Sequence, residues 1–209
     1  MPVSGNVLAA YADHAADYER RTAPYRQWRK LLVNQLPLRR GDVVLDVGCG
    51  TGLCFELLQR KIGAAGTIIG IDEAPAMLAV AARRVTEHGW RNVELLAAPA
   101  QDVAITQPAD AALFCAVHDV LQSPAALRTV LTALRPGGWV AAAGGKWPGP
   151  WFAPLSAVVA AVHAPFVRDF TGFDCPWRHL AELVDDLRVT EIAFGAGYLA
   201  IGHAPAYST

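Results

Sequence analysis

Within "VVLDVGCGTGL", residues 43–53, a carboxylate at Asp46 stands two residues ahead of Gly48, and Gly50 and Gly52 follow at alternate positions. Glycines bunched after an apolar run remove Cβ obstruction, accept unusual dihedrals and let the next helix present its free N–H groups to a ligand. A plain strand-to-helix turn needs one or two glycines, not three. The dinucleotide fingerprint G-x-G-x-x-G is not met, because counting from Gly48 its last glycine falls on Leu53. Asp46 suits a cationic amino group and is poorly matched to a pyrophosphate. Twenty residues beyond Gly52, "IIGID" ends on Asp72, placed to accept bonds from both hydroxyls of a ribose. A nucleoside that also carries a positive charge and an amino acid satisfies both carboxylates, and S-adenosylmethionine is such a molecule.

These residues need a scaffold that holds them at one edge of a sheet. Strand-like runs are expected over 43–47, 67–71, 93–97, 111–117 and 139–143. Helical patterning falls over 7–18, 24–36, 53–61, 75–88 and 124–134, the last stopped by "RPGG". Alternation of this kind implies parallel βαβ units covered on both faces, an α/β doubly wound sheet of Rossmann-like type. The tail breaks the rhythm: "VTEIAFGAGYLAIGHAP" is two apolar runs joined by Gly195, Ala196 and Gly197, so a hairpin with an antiparallel last strand is expected. In such sheets ligands bind at the carboxyl ends of the strands, where the strand order reverses.

Composition limits the function classes. A chain of 209 residues, 53% hydrophobic and 18% charged, is read as a single domain, and its net charge of -1 does not favour nucleic acid as a partner. Cys49, Cys54, Cys115 and Cys175 form no CxxC pair and no zinc spacing, so no metal is expected and free thiols imply a reducing, cytoplasmic setting. No secretory signal or bilayer-length apolar run is read.

"VLDVGCGTG", "GIDEAPAML" and "LRPGGWV" resemble the class I S-adenosylmethionine-dependent methyltransferase family over about residues 11–145. "HGWRNVELLAAPAQD", "GGKWPGPWFAPL" and "FTGFDCPWRHLAEL" are more loosely similar to bacterial proteins of the phosphatidylethanolamine N-methyltransferase-like or ubiquinone-biosynthesis methyltransferase-like group. The resemblance implies a seven-stranded sheet with an antiparallel final strand and S-adenosylmethionine as cofactor, leaving S-adenosylhomocysteine. It implies that Asp46 and the backbone of Gly48, Cys49, Gly50 and Gly52 hold the methionine end, that Asp72 takes the ribose with Glu73 beside it, and that Met77 packs near the adenine. Pro99 stands where relatives often carry an aspartate, so the adenine contact falls to Gln101 or Asp102. Tyr18 is placed over the cofactor carboxylate and Tyr11 beside the acceptor, and an aromatic anchoring a helix to the core is an equal reading of each.

His118 in "CAVHDVLQSP", next to Asp119, follows the fourth strand and is the candidate proton acceptor. Shaping a methyl pocket, with Asp119 capping the next turn, is the competing reading. Lys146, Trp147, Trp151 and Trp177 are the expected acceptor contacts, in a division that makes 1–40 a helical lid, 41–145 the cofactor core, 146–188 an acceptor-side insertion and 189–204 the hairpin. Seven basic residues between Arg20 and Arg40 read first as a solvated helix face, and second as a surface for an anionic membrane or acidic acceptor. The function expected is methyl transfer to a small molecule, at nitrogen or oxygen rather than carbon, with a lipid amine included. The chain is expected to be a monomer or homodimer without stable membrane insertion, and peripheral contact stays open. A nicotinamide-dependent oxidoreductase and a non-catalytic cofactor-binding regulatory module are the alternatives.

Overall fold

A computed structural model describes residues 20, 22–152, 155–165, 167 and 169–206. The expected helix over 7–18, with Tyr11 and Tyr18, lies outside them. Val43–Val47 (β1), Thr67–Asp72 (β2), Val93–Ala97 (β3), Ala109–Cys115 (β4), Leu134–Gly145 (β5), Asp185–Ile192 (β6) and Gly197–His203 (β7) form one seven-stranded sheet. Its order is β3-β2-β1-β4-β5-β7-β6, and β7 runs antiparallel to both of its neighbours. The doubly wound sheet and the antiparallel last strand are as the sequence indicates.

Side chains alternate across the sheet with period two, and each face has its own core. Leu45, Val47, Ile69, Ile71, Phe114 and Val140 point to one side, against Leu127, Val130 and Leu131 of the helix Pro124–Thr132. On the other side Val44, Ile68 and Leu113 meet Leu32 and Val33 of the helix Arg26–Gln35 (α1) and Phe55, Leu58 and Ile62 of the helix Phe55–Ile62 (α2). Asp46 sits between Leu45 and Val47 and therefore falls on the α1 and α2 side. Alternation alone puts this carboxylate against a core.

Of the elements whose bounds differ from expectation, β4 and β5 bear most on the site. β4 ends at Cys115, because Ala116 adopts φ 58 and turns the chain toward His118, which opens the short helix His118–Leu121 (α3). "RPGG" does not follow the helix as a free stop: it lies inside β5. Register passes from Ala109 opposite Leu134 to Ala111 opposite Trp139, so the intervening β5 residues form a bulge. A third, smaller cluster of Val159, Phe173 and Ala196, with Trp147 and Phe170, sits where the helix Leu155–His163 (α4) and the loops around it cover the carboxyl end of β5.

Candidate active site

β1 is paired with β2 on one edge and β4 on the other, so the chain winds away from it in both directions and leaves a crevice at its carboxyl end. The glycine loop enters this crevice. Gly48 has φ +65, and a Cβ built there would lie 2.4 Å from Val117 Cγ1, so only glycine lets the loop after β1 lie against the loop after β4. Gly52 serves packing: its Cβ would meet the Phe55 ring at 2.6 Å, at the start of α2. Asp72, half-buried, holds the loop in place, accepting from Gly50 N at 2.8 Å through Oδ2 and from Ala74 N at 2.9 Å through Oδ1. A carboxylate has about four acceptor sites, so each oxygen keeps one for a ligand hydroxyl.

A cavity of about 800 Å³, part of it open to solvent, runs from this loop to α4. Asp46, Gly48, Cys49 and Arg29 line it at one end; His118, His163, Tyr25 and Tyr198 line it as well. Among the described residues, the buried side-chain atoms without a hydrogen-bond partner are Asp46 Oδ2, Thr51 Oγ1 and His118 Nδ1. All three belong to the glycine loop or the cavity wall, and such orphans in an otherwise satisfied interior mark where a ligand supplies the partner.

Electrostatics at the two ends differ. Burial, and next the nearby Asp72, push the Asp46 carboxyl up to about 8, with Arg29 pulling it part of the way back. A bound ammonium is the group that would relieve this strain. Arg29 is buried and donates from Nη2 to the Thr22 carbonyl at 3.2 Å, so it brings a fixed cation to the carboxylate end. His118 is buried too. Its Nε2 lies 3.0 Å from the Thr171 carbonyl, which can only accept, so Nε2 carries the proton and Nδ1 keeps its lone pair. Burial holds the imidazole below the usual histidine range, partly offset by the Thr171 bond and the Asp119 and Asp169 charges. By the same logic His163 donates from Nδ1 to the Val159 carbonyl at 2.8 Å and accepts from Tyr25 Oη at 3.0 Å. The buried Asp46 near Arg29, the spare acceptor sites of Asp72 and the tight glycine loop fit S-adenosylmethionine.

The sequence candidates divide into two sets. Asp46, Gly48, Cys49 and His118 line the cavity, while Gly50, Gly52 and Asp72 shape the loop beside it. Met77 is buried in the first turn of the helix Pro75–Glu87, Glu73 is half-buried before it, and Asp102 is exposed. Gln101 is fixed through its carbonyl by Thr129 Oγ1 at 3.1 Å. Asp119 does not cap the next helix, whose N-cap is Ser123, and instead lies in the first turn of α3.

The four candidate acceptor contacts all point elsewhere. Lys146 is buried away from the cavity lining, with Nζ donating to the Trp147 and Gly195 carbonyls and paired with Glu191 at 3.0 Å. Trp147 packs on Phe170 and Phe173, Trp177 packs on Tyr198, and Trp151 is 94% exposed. The solvated-face reading of the basic segment holds for Arg26, Lys30, Arg39 and Arg40 but fails for Arg29, which α1 turns inward between Trp28 and Leu32. Reasoning from the sequence passed over Arg29, Tyr25, His163 and Tyr198. The one available signal was spacing: Arg29 shares a helical face with Leu32, Val33 and Leu36.

Comparisons agree with this geometry. Residues 44–138 match the family model described as a methyltransferase domain. Over 117 residues the chain is 34% identical to the 2-phytyl-1,4-naphtoquinone methyltransferase of Thermosynechococcus vestitus, covering 53% of this chain and 49% of that one. A ubiquinone/menaquinone biosynthesis C-methyltransferase of Coxiella burnetii is 29% identical over 140 residues, 66% of this chain and 55% of the relative. The chain thus spans about half the length of these curated relatives. Among solved structures, a SAM-dependent methyltransferase from Aquifex aeolicus superposes with TM-score 0.63 at 18% identity, over 91% of this chain and 98% of that one, which shows a shared fold.

Proposed function

Residues 44–138 being a methyltransferase domain of the class I family, whose methyl donor is S-adenosylmethionine, we propose that the chain transfers that methyl group to a small-molecule oxygen or nitrogen acceptor bound between His118 and His163. The observation that carries the acceptor atom is the buried, unpartnered Nδ1 of His118, a lone pair on a residue that lines the cavity. The bound cofactor supplies an electrophilic methyl on a sulfonium, and displacement there needs the nucleophile in line and water excluded. Asp46 takes the α-ammonium, Arg29 the α-carboxylate and Asp72 the ribose hydroxyls. His118 removes a proton from an acceptor that carries one. Residues 1–40 then act as a lid, 41–145 as the cofactor core, 146–188 as the acceptor-side wall and 189–204 as the hairpin.

A second reading, transfer to carbon, draws on the relative whose name specifies C-methylation. Among the described residues no helix is long and apolar enough to cross a membrane. Acceptors are sought first in the cytoplasm, where four free thiols suit a reducing setting. Two experiments decide. Calorimetry should show S-adenosylhomocysteine binding and no NAD(H) binding; the reverse sinks the reading. Labelled methyl uptake across phenols, amines, ethanolamine lipids and naphthoquinols, with the product bond assigned by NMR, separates oxygen and nitrogen from carbon.

A further inference from the structure

His118 is held by a segment more than fifty residues further along the chain. The chain at 169–173 meets the imidazole twice: the Thr171 carbonyl lies 3.0 Å from Nε2, and the Phe173 ring stands edge-on at 5.0 Å with a 72° interplanar angle. Asp169 organises this turn. Its Oδ1 accepts from Thr171 N at 2.9 Å and from Thr171 Oγ1 at 2.8 Å, and its Oδ2 accepts from the same hydroxyl at 2.9 Å. On the far side the turn is anchored by Gln122, between α3 and the helix Pro124–Thr132, which donates to the Pro176 carbonyl at 3.1 Å and packs against Gly172, where a Cβ would lie 2.2 Å from its Oε1.

We propose that the 169–173 turn is the positioning element for the proton acceptor: Asp169 sets the Thr171 carbonyl, and that carbonyl locks His118 as the Nε2–H tautomer with Nδ1 presented to the methyl acceptor. Nδ1 then takes the proton that the acceptor heteroatom releases as its bond to the methyl carbon forms and the C–S bond breaks with its electron pair left on sulfur. The imidazolium so formed faces Asp119 from its own helix and Asp169 from the turn, and His163 from α4 opposes it. Without the turn the ring could place its proton on either nitrogen, and half of its orientations would present a donor where an acceptor is needed. This rests on the methyl-transfer reading for its catalytic consequence and stands without it for the tautomer.

Asp169→Ala and Asp169→Asn separate position from charge, because the asparagine carbonyl can still accept from Thr171 N and Oγ1. Both side chains are exposed in the native turn, so neither change disturbs the core. Nitrogen NMR of the wild-type ring should show a bare Nδ1 and a protonated Nε2. Asp169→Ala should mix the tautomers and lower kcat roughly tenfold with S-adenosylhomocysteine affinity unchanged, whereas Asp169→Asn should keep the tautomer and most of kcat. Both should move the acidic limb of the pH–rate profile to lower pH, since a carboxylate that favours the imidazolium is gone. A protonated Nδ1 in the wild type, an Asp169→Ala ring unchanged in tautomer and rate, or an Asp169→Asn variant as impaired as Asp169→Ala would overturn the proposal. Absence of S-adenosylhomocysteine binding would instead remove the methyl-transfer reading and leave the NMR outcome to decide the turn's role.

Discussion

The crevice at β1 and the far wall of the cavity, where Tyr25, His163 and Tyr198 meet, use opposite construction. In the crevice most of the groups that matter lie on two adjacent strands and the loop after the first: Asp46 is next to last in β1, Gly48 has φ +65, and Asp72 at the end of β2 clamps Gly50, with Arg29 of α1 the exception. Backbone geometry puts each of them in place. The wall is assembled from distant parts, with Tyr25 from the start of α1, His163 from the last turn of α4 and Tyr198 from β7, joined across sequence separations such as the 138 residues between Tyr25 and His163. Local spacing can specify the first kind of site. Only packing specifies the second.

The sharpest contrast within the wall is between two aromatics. Phe173 is 1% exposed and meets His118, His163, Trp147 and Phe170, so Phe173→Ala should cost about 3–5 kcal/mol of unfolding free energy, read by urea denaturation, and should lower activity with it. Next, His118→Asn should reduce kcat about a hundredfold, or about 2.7 kcal/mol, while calorimetric affinity for S-adenosylhomocysteine stays at the wild-type value. A drop in both would return His118 to a shaping role. The wild-type rate should also rise with pH through the lowered His118 pKa, because only the neutral ring accepts a proton.

On the crevice side Asp46→Asn should weaken S-adenosylhomocysteine by about 2 kcal/mol at pH 8. Because the free carboxyl titrates at about 8, wild-type affinity should increase as pH rises toward that value, with proton release on binding, and the variant should lose the trend. The same raised pKa has a stability consequence. Its contribution to folding is present below 3.8 and is lost as pH rises through about 8, so the unliganded variant should gain stability relative to wild type over that window. Asp72→Ala should cost about 1–3 kcal/mol of cofactor affinity; an unchanged dissociation constant would remove its ribose role. The smallest effect belongs to Trp151→Ala, expected within about 0.5 kcal/mol in stability and without effect on methyl transfer, since that ring touches solvent over most of its surface.

Much of the frame was legible because it depends on short-range rules. β1 and β3 have the bounds that alternation indicates, and the antiparallel β7 follows from a hairpin whose turn is marked by Gly195 and Gly197. Where bounds shifted, a tertiary demand was the cause: β5 extends through Pro136 because a bulge absorbs the turn residues, and β4 stops early because Ala116 turns the chain so that His118 faces the cavity. For Lys146, Trp147 and Trp177, residue type suggests what a side chain can bind and says nothing of what already binds it. Glu191 and two carbonyls occupy the Lys146 ammonium, and Phe170, Phe173 and Tyr198 occupy the tryptophans.

The sequence by itself determined the doubly wound sheet, the glycine loop and the carboxylates Asp46 and Asp72, since strand alternation, positive-φ glycines and strand ends are set by neighbours along the chain. The tertiary structure alone decided that Arg29 is buried beside Asp46, that a carbonyl 53 residues away chooses which nitrogen of His118 is bare, and that His163 and Tyr25 share one hydrogen bond. Burial and partner choice depend on which helix docks on which face, and that is settled only when the whole core closes.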